Sequence, residues 1–243
     1  MTTTISRPTT IEERIESFDW PALQQAMDDT GYATMAPLLT LDECRDLRAL
    51  YDEDHHFRSR IDMARHRFGV GEYKYFAAPL PPVIQELRAA FYPHLAAIAN
   101  RWMDRLGDDV RYPPDLSSFL DRCHAHGQTK PTPLLLRYEA GGYNCLHQDL
   151  YGAVAFPFQI LVVLSQRDVE YTGGESLLVE QRPRAQSRGY VITLNQGEAL
   201  IFPTHHRPLT GTRGYYRAGL RHGVSTVTSD VRYSLGIIFH DAQ

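Results

Sequence analysis

The apolar positions in the first half of the chain recur every three or four residues, a spacing that predicts amphipathic helices. The predicted helices cover three segments, at about 11–29, 40–51 and 82–106. Thr40 and Glu43 have the sequence pattern of a capping box, which marks the start of the second helix. Pro21 suits the first turn of a restarted helix, and Pro93 is expected to interrupt the third helix.

The second half of the chain has a different pattern. Beyond about residue 130, short apolar or alternating segments follow one another, and turn signals rich in glycine separate them. Many short strands at this spacing are typical of an antiparallel double sheet or barrel. A turn is also predicted at Ser229 and Asp230. The predicted strands lie at about 134–138, 158–165, 175–179, 189–194, 199–202, 220–227 and 232–239.

Helices followed by a run of strands predict an α+β fold in which the N-terminal helices buttress one sheet. We expect a flexible N-terminus at 1–10 and a single domain at 11–243. Within that domain, the helical support covers about 11–130 and the β core about 131–243.

The composition is that of a globular protein, since 43% of the 243 residues are hydrophobic and 22% are charged. Three cysteines without CxxC spacing argue against a disulfide framework and against a cysteine zinc site. No apolar run reaches the ~18 residues of a membrane span, and the first residues lack the apolar segment of a secretory signal. We therefore expect a cytoplasmic protein with no membrane partner. The sequence does not predict the oligomeric state.

The charge is distributed unevenly along the chain. The segment 181–222 holds seven arginines and one glutamate, a net +6, so the remaining residues sum to −10 in a chain of net charge −4. A second basic segment at 58–74 has five cations and two acids, a net +3. Such residues are typical of solvated strand edges, where they discourage edge pairing. The alternative interpretation is an electropositive rim around an anion site.

The residues with the clearest chemical pattern are two histidines and an aspartate. His147 and Asp149 are two positions apart, so on a strand their side chains point to the same face. With His222 they match the set of two histidines and one carboxylate that holds non-haem Fe(II) and leaves coordination positions open. A chelating 2-oxoacid with a distal carboxylate then needs a buried cation, and Arg232 offers a planar guanidinium. Ser234 lies on the same strand face and can add a hydroxyl.

The sequence resembles the Fe(II)/2-oxoglutarate-dependent oxygenase superfamily over about 134–239. The segment Arg137-Tyr-x-x-Gly, followed shortly by Leu146-His-Gln-Asp, is similar to the segment that leads into the iron ligands of AlkB-type nucleic-acid dealkylases. Thr172-Gly-Gly-Glu, and the ten-residue spacing from His222 to Arg232, resemble prolyl 4-hydroxylases. The whole pattern is similar to a bacterial family of predicted oxygenases assigned to oxidative demethylation of damaged DNA.

The resemblance implies a double-stranded β-helix, or jelly-roll, core and three cofactors: Fe(II), 2-oxoglutarate as cosubstrate, and dioxygen. It implies that His147, Asp149 and His222 are both the metal ligands and the catalytic group. It implies that Arg232 binds the far carboxylate of 2-oxoglutarate and that Tyr138 also binds this cosubstrate. The implied reaction hydroxylates a C–H bond and releases succinate and CO2.

Two points stay open at the level of sequence. His205 and His206 are alternative third ligands, although His222 opens a strand and keeps the ten-residue spacing to Arg232. The substrate is also open between damaged nucleic acid and an amino acid, peptide or other small molecule. Besides these two kinds of oxygenase substrate, a third alternative for the function is a metal-binding β-barrel without oxygenase activity or a zinc hydrolase. Arg232 argues against this third alternative.

Dealkylation of nucleic acid requires an aromatic platform on which an unstacked base can lie. Aromatic residues next to basic residues are the candidates for this platform. They are Tyr73, Tyr75, Phe76, Tyr215 and Tyr216.

Overall fold

The computed structural model describes residues 10–149 and 152–243, so the predicted flexible N-terminus lies almost entirely outside the described residues. The helices in these ranges are α1 (Ile11–Glu16), α2 (Trp20–Thr30), α3 (Leu41–Ala49), α4 (Met63–His66), α5 (Pro82–Leu106) and α6 (Leu116–Ala125). The strands are β1 (Ala33–Met35), β2 (Phe57–Asp62), β3 (Gly69–Val70), β4 (Glu72–Phe76), β5 (Leu134–Glu139), β6 (Tyr143–His147), β7 (Phe158–Val163), β8 (Tyr171–Gly173), β9 (Ser176–Gln181), β10 (Arg188–Ile192), β11 (Ala199–Pro203), β12 (His206–Gly211), β13 (Gly214–Val224) and β14 (Val227–Ile238).

The three predicted helical segments are helical in the structure, but the first is split into two helices and the third is uninterrupted. The first is split into α1 and α2, and Pro21 lies in the first turn of α2. The capping box at the start of α3 is confirmed, because Thr40 and Glu43 each bind the other's backbone N–H. The expected interruption at Pro93 is wrong, since α5 continues through it and buries one face along its length. Within the described ranges, no helix is both long and apolar enough to cross a membrane.

Two antiparallel β-sheets lie face to face at the centre of the protein. The major sheet has the strand order β1–β11–β7–β14–β5–β4–β2, with β8 paired to β14. The minor sheet has the order β10–β9–β13–β6–β3, with β12 paired to β13. Side chains from both sheets share one buried apolar cluster, which joins Val163 and Leu200 to Leu178 and Val224. The arrangement is a jelly roll with added helices, which confirms the predicted α+β fold class.

The chain before residue 131 supplies strands as well as helices. β1 pairs with β11, and β4 pairs with β5 and carries β2 at its other edge. β3 pairs with β6 at the edge of the minor sheet. Both sheets are therefore completed by residues from the N-terminal part of the sequence.

The helices cover the outer face of the major sheet and form a second apolar layer there. Alternate residues of β14 point to opposite sides of that sheet, as the pleat of a strand requires. Leu235 and Ile237 pack among the helices, whereas Ser234 and Gly236 line the space between the sheets. The helices thus buttress one sheet, as the sequence predicts.

The last two strands are longer than their apolar patterns predict. β14 begins at Val227, so the predicted turn at Ser229 and Asp230 is wrong. The backbone instead has a bulge at this place. The register of the pairing with β8 shifts between Val227 and Ser229, and the next residue, Asp230, has a positive φ of 53°. A bulge of this kind lets a strand change direction without ending.

Candidate active site

His147 and His222 lie opposite each other on neighbouring strands of the minor sheet. They are register partners in the antiparallel pair of β6 and β13, and their ring centroids are 4.1 Å apart. The register shifts just beyond them, at Gly223. A Cβ atom at Gly223 would lie 2.6 Å from the carbonyl oxygen of Asn144, so glycine permits this close approach of the two strands.

Asp149 joins the two histidines from the segment that follows β6. The strand ends at His147, and the backbone N–H of Asp149 donates to the carbonyl oxygen of Thr204 at 3.1 Å. Asp149 Oδ1 is 3.6 Å from His147 Nε2, and Oδ2 is 3.2 Å from His222 Nε2. One possible ligand atom from each of the three residues lies within 4.8 Å of the others. The geometry suits a single metal ion.

The protonation states of the cluster also suit a metal ion. Burial, the largest single cause, raises the pKa of Asp149, but His222, His147 and Gln159 together lower it more, and the net pKa lies well below its usual range. Burial lowers the pKa of His147, and the neighbouring His222 lowers it further. His147 Nδ1 donates to the carbonyl oxygen of Cys145 at 2.8 Å, which leaves the lone pair on Nε2. An ionised carboxylate and a neutral imidazole are the forms that bind metals.

Arg232 is buried next to Tyr138 and Ser234, which line the same cavity as this cluster, and it has no acidic partner in the described ranges. Its side chain is 1% exposed, and Nη1 donates to Ser234 Oγ at 3.1 Å. Its guanidinium carbon is 5.9 Å from the ring centre of Tyr138, the residue opposite it on β5. Glu175 forms its ion pair with Arg167, at 3.1 Å, and its pKa is lowered mainly by the hydrogen bond from Ser225, with smaller contributions from Arg167 and Arg232.

Several polar atoms around Arg232 lack hydrogen-bond partners among the residues that the structure describes. They are Arg232 Nε and the hydroxyls of Tyr138 and Ser176. The side chain of Asn144 approaches the Tyr138 hydroxyl without forming a well-aligned bond. Because buried polar atoms are nearly always hydrogen-bonded, a guanidinium nitrogen and two hydroxyls left without partners fit a buried anion such as a carboxylate. Ser176 was not predicted as a site residue, and its position directly after Thr172-Gly-Gly-Glu is the signal that could have found it.

Gly174 makes room for the arginine. Its φ is +64°, and a Cβ atom there would lie 2.8 Å from Arg232 Cδ. Only glycine satisfies both the backbone conformation and the close contact. The second glycine of Thr172-Gly-Gly-Glu therefore has a local physical role in positioning Arg232.

The alternative ligands His205 and His206 do not group with Asp149 in the described structure. Their Nδ1 atoms are 2.7 Å from each other, and burial lowers the pKa of His206 to about 4. A separate group of Glu53, His55 and His56 lies on a turn at the surface.

A cavity of about 260 Å³ lies between the two sheets and includes the His147, Asp149 and His222 cluster. Its remaining wall is largely apolar. The apolar lining residues from the two sheets include Leu136, Leu161, Leu178, Leu200 and Phe202. Such a wall excludes water from the atoms that would react.

The entrance of the cavity carries an exposed apolar and basic surface, which we call the rim: His66, Arg67, Phe68, Tyr143 and Leu146. Phe68, Tyr143 and Leu146 are 43%, 38% and 41% exposed. The ring of His66 stacks on Phe68 at a centroid distance of 5.3 Å, and Arg67 holds a left-handed conformation with φ 61°. Arg67, Phe68 and Leu146 line the cavity itself. Arg67 belongs to the predicted basic segment 58–74, whereas Phe68, Tyr143 and Leu146 were not predicted as site residues.

The residues of the predicted aromatic platform lie in three different places in the structure. Tyr73 and Tyr75 line the cavity, and their rings are nearly perpendicular with a centroid distance of 5.3 Å. Phe76 is fully buried in the layer under the helices, so it cannot stack on a base. Tyr215 and Tyr216 lie at the hairpin of β12 and β13 and do not line the cavity.

Many of the basic residues in the two positive segments are paired within the fold. Arg207 is buried in an ion pair with Glu180 at 2.7 Å, and Arg182 binds the same carboxylate. Lys74 is buried and binds Asp54. Arg207 and Lys74 are therefore neither solvated strand-edge residues nor part of an exposed electropositive surface.

Comparison with solved structures shows a shared fold. A prolyl-4-hydroxylase from Pseudomonas putida aligns with a TM-score of 0.52 at 15% identity, covering 92% of this chain and 100% of that one. The non-haem α-ketoglutarate-dependent epimerase SnoN of nogalamycin biosynthesis aligns with a TM-score of 0.55 at 18% identity, covering 91% and 82%. These likenesses establish the fold that the chain shares with such oxygenases.

The sequence comparisons establish the family. Residues 71–242 match the family model described as "Oxygenase, catalysing oxidative methylation of damaged DNA", and the chain belongs to this family. An uncharacterized protein of Mycobacterium tuberculosis, found in two strains, is 49% identical over 167 residues, which cover 69% of this chain and 72% of that protein. The protein is an Fe(II)/2-oxoglutarate-dependent oxygenase, as the resemblance in the sequence predicted.

Proposed function

We propose that this oxygenase removes a methyl group from a base of damaged DNA by oxidising it. In this proposal His147, Asp149 and His222 hold Fe(II), and Arg232 and Ser234 bind the far carboxylate of 2-oxoglutarate. The observation that carries the cosubstrate assignment is the buried guanidinium of Arg232, which has no acidic partner among the described residues and whose Nε lacks a hydrogen-bond partner. It contacts Ser234 and Tyr138, which line the same cavity as the metal-ligand cluster. The hydroxyls of Tyr138 and Ser176 complete this anion site.

The overall reaction balances with the three cofactors. One atom of dioxygen enters succinate as 2-oxoglutarate loses CO2, and the other forms a hydroxymethyl group on the substrate nitrogen. That group is a hemiaminal and breaks down to formaldehyde and the unmodified base. Bound iron supplies the dioxygen chemistry, and the protein supplies position and a dry pocket.

The residues of the chain have distinct tasks in this proposal. The bond from His147 to the Cys145 carbonyl fixes the imidazole tautomer and aims Nε2 at the metal. The low pKa of Asp149 keeps the carboxylate ionised. Arg232 and its neighbouring hydroxyls orient the cosubstrate through charge-assisted hydrogen bonds.

The rim supports a nucleic-acid substrate. A base that leaves its stack needs an aromatic face, and Phe68 offers one that is 43% exposed at the cavity entrance. Arg67 places a cation beside this face, where it can meet a backbone phosphate. The family description also names damaged DNA. We further propose that the protein acts in the cytoplasm, as predicted from the sequence.

The test is succinate and formaldehyde formation by the Fe(II)-loaded protein with N-methylated single-stranded DNA, beside unmethylated DNA of the same sequence. We expect equal amounts of both products with methylated DNA only, and none with an Asp149→Ala variant. Succinate formation that ignores DNA methylation would exclude this substrate. Amino acids and peptides, the predicted alternative substrates, would then be screened by the same assay. Family membership argues against the other alternative, a metal-binding barrel without oxygenase activity.

A further inference from the structure

Gln159 connects the two sheets at the proposed metal site. It lies on β7 in the middle of the major sheet and is 6% exposed. Its side-chain Nε2 donates to Asp149 Oδ2 at 3.0 Å and is 3.4 Å from His222 Nε2. The other cavity residues that the major sheet contributes beside it, such as Leu161 and Phe202, are apolar. A single amide therefore contacts two of the three proposed ligands.

The two histidines of the cluster are held in different ways. His147 is held at the ring nitrogen that does not face the metal, because its Nδ1 donates to the Cys145 carbonyl oxygen at 2.8 Å. His222 has no such bond, since its Nδ1 is buried without a hydrogen-bond partner in the part of the chain that the structure describes. Metal-binding histidines usually depend on a bond at the second ring nitrogen for their orientation. In this protein, His222 is oriented from the metal-facing side, by Asp149 and Gln159.

The two oxygens of Asp149 are also distinguished by Gln159. Oδ2 accepts the amide hydrogen of Gln159, whereas Oδ1 accepts no side-chain hydrogen bond among the described residues. Rotation of the carboxylate would break the bond to Oδ2. The amide thus restrains the carboxylate in the orientation that brings it close to both histidines.

We propose that Gln159 is the positioning residue of the iron site: its amide orients the Asp149 carboxylate and so sets the affinity for the metal. This inference rests on the proposed ligand set. Residues that orient ligands in this way typically contribute about 10–100-fold to metal affinity. Gln159 does not need to touch 2-oxoglutarate for this role, so its loss acts on metal binding and leaves cosubstrate binding unchanged at saturating metal.

The experiment is an anaerobic titration of the full-length protein with Co(II), followed by visible absorption, which does not depend on turnover. Gln159→Leu removes the amide at similar volume, and we expect the Kd for Co(II) to rise about 10–100-fold. The matched control is Gln196→Leu, because the Gln196 amide also donates one hydrogen bond, to the Leu164 carbonyl, but lies outside the site. The control should bind Co(II) like the wild type.

Thermal unfolding of each variant checks the fold, and Gln159→Met replaces Gln159→Leu if the latter does not fold. An unchanged Kd in a folded Gln159 variant would overturn the inference and leave the ligand set standing. A wild-type protein that takes up no Co(II) would overturn the ligand set itself, and with it the role of Gln159. A raised KM for 2-oxoglutarate with unchanged Kd for Co(II) would assign Gln159 to the cosubstrate instead.

Discussion

His147 and His222 are direct register partners on two antiparallel strands, with their rings 4.1 Å apart. Their meeting depends on the register of β6 against β13, because a shift of one residue would turn one ring to the opposite face of the sheet. The site is therefore built into the hydrogen-bonding of the minor sheet. Asp149 is placed by a separate contact, from its N–H to the Thr204 carbonyl.

Removal of His222 tests the ligand assignment. We expect His222→Ala to reduce bound Fe(II) from about one ion per chain to almost none, because two remaining ligands do not hold the ion. His206→Ala should keep its iron. Metal analysis after anaerobic loading and desalting measures both, and retention of iron by His222→Ala with loss by His206→Ala would reverse the assignment.

Arg232→Ala tests the cosubstrate site. Hydrogen bonds to charged groups contribute about 1.5–3 kcal/mol, so KM for 2-oxoglutarate should rise about 10–150-fold. Arg232→Lys keeps the charge without the planar fork and should show a smaller rise. Arg221→Ala, an exposed arginine on β13, is the control. Steady-state kinetics at saturating iron gives these values, and an unchanged KM in Arg232→Ala would refute the role of Arg232.

Gly174→Ala should weaken 2-oxoglutarate binding indirectly. The new methyl group would lie 2.8 Å from Arg232 Cδ and would displace the guanidinium. We expect KM for 2-oxoglutarate to rise several-fold while the Kd for metal stays the same. Gly127→Ala shares the positive φ, at +75°, but has open space around it, so it separates backbone strain from the clash. Equal effects of the two variants on KM would argue against the positioning role.

Phe68→Ala tests the rim. Stacking of a base on an aromatic side chain contributes about 1–3 kcal/mol, so KM for methylated single-stranded DNA should rise about 5–150-fold. The KM for 2-oxoglutarate should not change. Val191→Ala removes an exposed apolar side chain from β10, away from the cavity, and serves as the control. Identical DNA kinetics in Phe68→Ala and wild type would exclude the rim from substrate binding.

His240 gives the protein a stability that depends on pH. It is 2% exposed, and burial, followed by the charge of Arg88, lowers its pKa to about 4. Between about pH 6.5 and 4 the unfolded chain binds a proton at this residue and the folded chain does not. Stability is therefore lost as the pH falls through this window, by up to about 3 kcal/mol from this residue.

The variant His240→Gln lacks this ionisation and should show a shallower fall of unfolding free energy between about pH 6.5 and 4. Urea unfolding at several pH values measures the unfolding free energy of wild type and variant. In the difference between the two free energies, the contributions of other titrating groups largely cancel. Parallel curves for the two proteins would contradict the assignment to His240.

The sequence predicted the parts of the site that local spacing defines. His147 and Asp149 are close in the chain, and the strand pattern places His222 and Arg232 on the last two strands. Ser176 and Gln159 were not predicted, because their places in the cavity depend on how the two sheets face each other. That relationship leaves no periodic signal in a single sequence.

The fold shows the same division between local and long-range information. Helix α5 was predicted because its apolar stripe is long and regular. The strands β1 to β4 were missed. β1 and β3 have only three and two residues, and the pairing partners of β1, β3 and β4 lie about 60 to 170 residues away in the chain. Tertiary pairing, rather than intrinsic preference, makes these segments strands.

In the major sheet, neighbouring positions of the same strands have two separate roles: packing against the helices and lining the cavity. One residue of each pair packs under the helices and its neighbour lines the cavity, as in Leu135 and Leu136, Val162 and Leu161, and Ile201 and Leu200. The shape of the cavity can therefore be altered by substitutions that leave the helix-packed layer intact. A protein built in this way can acquire a new substrate while its folding stability changes little, which makes these cavity-facing positions the natural sites for redesigning specificity.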